Sequence, residues 1–526
     1  MANGIRSVTL MTPVSRLLLA LLAVAGFMLA AAGYALAQPA APNTDTALTL
    51  GQVVVSSGAS GPLEARRLLT SVDILPGERI ESQVAQNNWE LLGQVPGVML
   101  TQFGQGTTSG KFSMRAFNGE GEINAVKLLI DGVPSNSNDG NMPYIDLAPR
   151  LDIDAIEVVR GTNDARYGLH NIAGNANIAT RSGGNYLLGR ASYGSFNTTD
   201  LQAAAGIEKD GLAQNYAVAL QRSDGYRDHS EAQGGAFSGK LSFTPQGGTS
   251  RFGLIARHYT ARADEAGYLT RSQRSVDPDQ SPAHNATDED RRQVSQFAVQ
   301  GEAELGGRWF WNGQLYLNNL DDHRFVKFSA GASQQERIVL ETHTGISNTL
   351  TWRGGQTAIG QLSVMGGFDA EHQDNRSQRY NTASQVRQSQ TRNQSFEFDT
   401  QGAFVQAEWK PLPALTLVPA YRIDSIHGSY TNQLNGITYP VNAYGVIEQP
   451  KFSAIYAPGK AWSLYGNWGR SFQVGVGTAS YKVNQTSDLA PSLNEGVELG
   501  VKFRPVAWLD GRVAVWRQTA SNEARR

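Results

Sequence analysis

Beyond Gly183 the chain alternates apolar and polar side chains at period two for the rest of its length. In "GAFVQAEWKP", Ala403, Val405, Ala407 and Trp409 share one face, and Gln406, Glu408 and Lys410 take the other. "WSLYGNWGR" sets Trp462, Leu464 and Trp468 against Ser463, Tyr465 and Asn467, and "VELGVKF" sets Val497, Leu499, Val501 and Phe503 against Glu498 and Lys502. Roughly fifteen such segments follow one another, each near the ~9–11 residues with which a tilted strand crosses a bilayer. Long polar stretches, "RSQRSVDPDQSPAHNATDEDRR" and "QDNRSQRYNTASQVRQSQTRNQS", read as connections between them. A soluble β-sandwich also alternates, but with shorter strands and without such connections. Trp309, Phe310, Trp311, Trp409, Trp462 and Trp508 fall near segment ends, as interfacial girdles require. Lipid tolerates only helices or closed sheets, so residues 184–526 read as a transmembrane antiparallel β-barrel, a mainly β fold.

The N-terminus agrees with that destination. Arg6 and Arg16 precede the apolar "LLLALLAVAGFMLAAAGYALA", which ends in the A-x-A pattern Ala35-Leu36-Ala37. Residues 1–37 therefore read as a secretory signal peptide. Lys and Arg number 45 against 47 Asp and Glu, so nothing favours a sequence-independent grip on nucleic acid. There is no cysteine, which removes thiol chemistry, disulfides and Cys-ligated zinc together. Residues 38–65 form a small, polar leader with one apolar island, "LTLGQVVVSSG". A lone strand there would leave its backbone groups open for pairing with a partner's sheet edge.

Residues 66–183 differ from both flanks and read as a compact α/β domain of about 120 residues, near the usual size for one core. "ESQVAQNNWELLGQVPGV" places Val84, Trp89, Leu91 and Leu92 in a short helix stopped by Gly93 and Pro96. "AVKLLIDGVPSN" is a strand entering an Asp131-Gly132 turn, "LDIDAIEVVRG" a second strand and "NIAGNANIATR" a third. "GQGTTSGKFSMRAF" imitates a phosphate-binding loop and fails it twice. Gln105 stands where the first glycine is needed, and Phe112 follows Gly110-Lys111 where a hydroxyl should bind the metal.

"LLGQVPGVML", "SMRAFNG", "LLIDGVP", "IDAIEVVRGTNDARYG" and "IAGNANIATR" occur in the order and spacing of the plug domain of TonB-dependent outer-membrane receptors, which the chain resembles from about residue 48 onward. The resemblance implies a plug inside the barrel lumen, and a family barrel of about 22 strands. It makes residues 49–55, with Leu50, Val53, Val54 and Val55, a TonB-box-like coupling segment for TonB, energised with ExbB and ExbD. Arg115 and Arg160 match plug arginines that pair with barrel glutamates, and Glu498, in "LNEGVELGVKFRP", matches one of those glutamates. Ala116 stands where the family usually has glycine, and Asn175 where a small residue is usual.

The implied function is TonB-dependent import of a scarce extracellular ligand, a ferric siderophore or a similar small molecule, across the bacterial outer membrane, whose lipid the barrel meets. Cobalamin, haem or another non-siderophore ligand is the alternative. Phe103, Phe117, Tyr144, Tyr226, Tyr268, Arg379 and Tyr380 are the candidate ligand residues, suited to an anionic, partly aromatic chelate. No catalytic set, cofactor or metal site is expected. There is no G-x-S-x-G or H-E-x-x-H, and the eight histidines show no paired ligand spacing, although His229, His284 and His323 could lie in loops. About 11 residues separate Ala37 from Leu48, too few for an extra signalling domain. "RVAVWRQTA" runs into the cationic "SNEARR" with no terminal aromatic and no second locking glutamate. The expectation is a receptor truncated at its C-terminus; a smaller closed barrel is the competing idea, and a non-functional fragment is an alternative to import.

Overall fold

A computed structural model describes residues 71–522, apart from 105, 109, 116, 118–123, 247, 460 and 507. The segments read from the sequence as signal peptide, leader and coupling strand, the last with Leu50, Val53, Val54 and Val55, lie outside the described residues.

Seven short strands make up the N-terminal part: β1 (Val72–Pro76), β2 (Val98–Gln102), β3 (Gly110–Met114), β4 (Val126–Ile130), β5 (Val133–Pro134), β6 (Ile153–Arg160) and β7 (Gly174–Thr180). Five of them form one sheet in the order β1-β6-β7-β4-β5, with β4 and β7 parallel and the other neighbours antiparallel. β2 and β3 pair separately as a hairpin. Helices α1 (Gly77–Glu81) and α2 (Asn88–Leu91) are short. Leu75, Trp89, Leu92, Phe112, Leu128, Ile156 and Ile178 are buried in its core. Gly110 has a packing reason: a Cβ there would stand 2.4 Å from the Trp89 ring.

The remainder is one curved antiparallel meander. It runs β8 (Tyr186–Gly194), β9 (Thr198–Lys209), β10 (Leu212–Ser223), β11 (Ala232–Phe243), β12 (Ser250–Asp264), β13 (Glu289–Glu304), β14 (Trp309–Val326), β15 (Gln334–Thr357), β16 (Gly360–Ala383), β17 (Val386–Leu412), β18 (Leu415–Asn432), β20 (Ile447–Tyr456), β21 (Trp462–Gln473), β22 (Ser492–Val506) and β23 (Leu509–Ser521). A short β19 (Ile437–Pro440) pairs onto β18. Each strand bonds its sequence neighbours, and β8 and β23 are the two ends of the order.

The alternation read from the sequence is inside out relative to a soluble protein. Val405 is 51% exposed and Leu499 60%, while their strand neighbours Gln406 and Glu498 are buried. The apolar face looks outward, as lipid demands, and the polar face lines the lumen around the plug. At one rim every connection is short, and the other carries the long segments, such as 265–288 and 474–491, beside the two-residue turn 384–385 that closes the β16–β17 hairpin. Short turns mark the periplasmic rim of such barrels and long loops the extracellular one. Trp309, Trp409, Trp462 and Trp508 all lie by the short turns, as half of a girdle.

Two local expectations need correction. Val84 is 88% exposed and lies outside the helix, which begins only where Glu90 reaches back to the Asn87 backbone N–H in a capping box. The polar stretch 373–395 is no loop. It is the outer half of a hairpin, since β16, β17 and neighbouring β15 run for 24, 27 and 24 residues, more than twice what lipid requires. Above the bilayer neither face of a strand needs apolar residues, so the period-two signal vanishes while the strand continues.

Candidate functional site

The plug is fastened to the wall through its turns, and the firmest fastening is Asp131. Asp131 and Gly132 both have positive φ, 50° and 80°, in the two-residue turn that joins Ile130 to Val133. This is the geometry that favours Asp-Gly. It sets the Asp131 carboxylate at the end of the plug sheet, beside Thr180 of β7. There it accepts hydrogen bonds from the Thr180 N–H (2.8 Å) and the Thr180 hydroxyl (2.7 Å). It also pairs with two wall cations, Lys240 on β11 at 2.8 Å and Arg257 on β12. Burial would raise the pKa of this carboxyl, but Lys240 and Arg257 outweigh that and hold it well below the ordinary carboxylate range. The wall reads the backbone of the same hairpin: Gln300 donates to the Asp131 carbonyl and Gln314 to that of Gly132, each at 2.8 Å, and Asn318 to that of Pro134 at 2.7 Å.

On the opposite side Arg115 of the plug pairs with Glu498 on β22, and the Tyr465 hydroxyl donates to the same carboxylate at 2.6 Å. Arg115 lies 5.0 Å from the Trp516 ring, and burial, followed by the nearby Arg160, pulls its guanidinium down to about 10. Arg160 does not meet a barrel glutamate. It ends β6 beside β1, so the nearest carboxylate is Asp73 of the plug itself, and Arg160 pairs with that and donates to the Pro96 carbonyl. The barrel reaches this pair from the other direction, with Arg512 of β23 at 3.1 Å from Asp73.

Further anchors lie along the seam. Arg150 pairs with Asp200 on β9, the Thr162 hydroxyl donates to the Gly469 carbonyl (2.7 Å), and Lys451 donates to the Thr162 carbonyl (2.6 Å). Asn175, unusual for the resemblance, is buried and donates to Asp164 at 2.9 Å, which explains a polar residue there. His170, in the loop after β6, is buried with its Nδ1 at 3.1 Å from Gln473 Nε2 of the wall. Burial, then Lys127, pushes its pKa down to about 3. Between about pH 6.5, the unfolded value, and pH 3 the unfolded chain binds a proton that folded His170 refuses. Stability should therefore fall as pH falls through that window, by about 1.4 kcal/mol per pH unit from this group. His170→Asn, which tolerates the left-handed backbone (φ 66°), should flatten the slope in urea unfolding measured from pH 4 to pH 7.

The candidate ligand residues do not converge. Tyr144 is fully buried in the plug core and cannot touch a ligand. Phe117 packs against that same core, held by a backbone bridge to Met114. Phe103 is half-buried, with Lys111 Nζ 6.0 Å above its ring. Tyr226 and Tyr268 are exposed on the long-loop rim, at 57% and 56%. Arg379 and Tyr380 are consecutive in β16 and so take opposite faces. Tyr380 stacks under Arg387 at 4.1 Å and its hydroxyl accepts from Gln390. Of the three histidines, His229 and His284 lie in outer loops. His323 sits in β14, 2.7 Å from Glu336.

Sequence reasoning found the Asp131-Gly132 turn but not its charge partners. Lys240, Arg257, Asp200 and Arg512 are scattered across the wall, and only the strand register reveals which face the plug. "GQGTTSGKFSMRAF" forms a one-turn helix, Gly106–Thr108, and then β3, with its turn packed against the wall. A Cβ at Gly106 would stand 3.1 Å from Asp290 and 3.3 Å from Glu265.

The family model described as "TonB dependent receptor-like, beta-barrel" matches residues 223–526, and the "TonB-dependent Receptor Plug Domain" matches residues 64–175. The vitamin B12 transporter BtuB of Vibrio vulnificus (strain CMCP6) is 30% identical over 166 residues, covering 30% of this chain and 26% of that protein. The match thus spans about a quarter of that relative's length. Among solved structures, the unliganded ferric citrate transporter FecA superposes with a TM-score of 0.77 at 18% identity, covering 88% of this chain and 72% of that one. The ferric yersiniabactin uptake receptor FyuA of Yersinia pestis gives 0.67 at 15% identity, covering 87% and 73%. These last two likenesses concern the fold alone.

Proposed function

The chain belongs to the TonB-dependent receptors, outer-membrane β-barrels with an internal plug, and from that premise we propose that it imports a scarce small ligand across the outer membrane. The observation that carries this reading is the seam. A plug held in a lumen by ion pairs and hydrogen bonds to strands from β9 to β23 blocks passive flow, and beside apolar contacts such as Val133 on Ile255 and Leu151 on Ala204 its fastenings are polar groups that water can replace one at a time.

The ligand enters from the long-loop rim and rests above the plug. TonB, energised with ExbB and ExbD, pulls the segment at 49–55 by pairing with it as an added strand. A ferric siderophore is the first reading of the ligand. Cobalamin is the second, favoured by the 30% identity with the vitamin B12 transporter.

Val54→Pro tests the coupling. Proline removes a backbone donor and fixes φ, which a paired strand cannot accept. In cells expressing the chain, uptake should fall to background while ligand binding at the cell surface persists. Normal uptake by V54P would place the coupling strand elsewhere.

A further inference from the structure

Four arginines stand side by side across the outer part of the wall. In the strand registers Arg324 of β14 lies directly opposite Arg337 of β15, Arg337 opposite Arg379 of β16, and Arg379 opposite Arg392 of β17. Directly opposed residues share a face, with Cβ atoms roughly 5 Å apart. That face is the lumen. Two and four residues along β15 from Arg337, Val339 packs on the plug core and Glu341 accepts the Asn138 backbone N–H at 2.9 Å. The row also lies in the outer stretches of strands far longer than the bilayer needs, so it stands in water above the lipid.

Like charges placed directly opposite destabilise a sheet. The fold offsets this at one end only, where Glu265 takes Arg324 with bonds of 2.5 and 2.7 Å. Arg337 leans on the Phe328 ring at 4.8 Å and donates to the Gln335 side-chain carbonyl. Among the described residues no carboxylate lies within ion-pair distance of Arg337, Arg379 or Arg392. Glu336, the nearest acid along β15, is on the other face with Arg387 and His323. Immediately beyond the Arg379–Arg392 pair the register slips by one residue. Such a bulge re-aims neighbouring side chains and is common beside binding sites.

We propose that Arg337, Arg379 and Arg392 recognise a small polycarboxylate, free or as a metal chelate, as the ligand this receptor imports; this rests on the import reading above. Planar guanidinium forks take carboxylates bidentately, and their ~5 Å repeat suits several carboxylates on one compact molecule. The site adjoins the plug. Arg324 holds Glu265 and the row begins at Asp290, the two residues that the plug's Gly106 turn packs against. Thr107 donates to Asp290. A ligand that competes for Arg324 would disturb that contact from above.

The test uses the full chain purified in detergent, with iron(III) citrate, citrate alone and cobalamin as probes, by equilibrium dialysis. Iron(III) citrate, or citrate alone, should bind, and binding should weaken steeply as KCl rises from about 50 to about 500 mM. Comparing the two separates recognition of the chelate from recognition of the free acid. Arg379→Gln with Arg392→Gln should weaken binding at least about tenfold and raise the thermal midpoint, because like-charge repulsion is relieved while the site is lost. Arg379→Lys, which keeps the charge but not the fork, should fall between. Absence of anion binding by the wild type, unaltered binding by the double variant, or a lowered midpoint would each overturn the proposal. Cobalamin binding with V54P-sensitive uptake would sink the polycarboxylate site and leave the import reading standing. Uptake that persists without TonB or a proton-motive force would sink the import reading instead.

Discussion

Asp131→Asn should loosen the plug by roughly 3–5 kcal/mol, the usual cost of removing one partner of a buried ion pair. The substitution isolates the charge. Asparagine keeps the shape, and Asn-Gly is as well suited as Asp-Gly to a turn with both φ values positive. What changes is that Lys240 and Arg257, both buried, lose their carboxylate, while Lys240 still has the Thr180 carbonyl at 3.2 Å. Native-state hydrogen exchange on β4 and β7 would read the loss as faster opening of the plug sheet. Asp131→Asn combined with Lys240→Met should recover part of it, since removing both partners spares a stranded charge. The pH dependence has a definite sign. A carboxylate whose folded pKa is depressed contributes stability above its unfolded value, near pH 4, and loses it as pH falls through the folded value. Wild type and variant should therefore differ by a constant amount above about pH 5 and converge in strong acid.

The sequence displayed the barrel wherever a strand crosses lipid and hid it elsewhere. Val497, Leu499 and Glu498 announce their faces because one side must be apolar. Arg376, Ser377, Gln378 and Arg379 do not, because water bathes both sides of β16 above the membrane. The strand β1, "VDILP", is too short to show a period, and it matters because its Asp73 captures Arg160. Tyr144 looked like a recognition residue on composition alone, but burial cannot be read from one aromatic in "NMPYIDLAP". The arginine row is invisible in the linear chain: Arg324, Arg337, Arg379 and Arg392 come together only once three hairpin registers are known.

On the import reading the plug must yield before ligand passes, and the chain offers a clean way to stop it. A Cβ at Gly496 of β22 would stand 3.6 Å from the Thr162 Cβ of the plug, inside the roughly 3.5–4.5 Å span of a disulfide. The chain has no other cysteine to compete. Thr162→Cys with Gly496→Cys would therefore weld plug to wall two residues from Glu498, in a region that must separate if the plug shifts past β22. The decisive measurement is uptake of radiolabelled iron(III) citrate and of cobalamin by cells expressing this double variant, before and after reduction, with the crosslink verified on proteolysed membranes. The oxidised variant should bind its ligand at the surface and accumulate none, and reduction should restore uptake to that of the two single variants. Equal uptake in the oxidised and reduced states, with the crosslink intact, would show that ligand passes without the plug parting from β22.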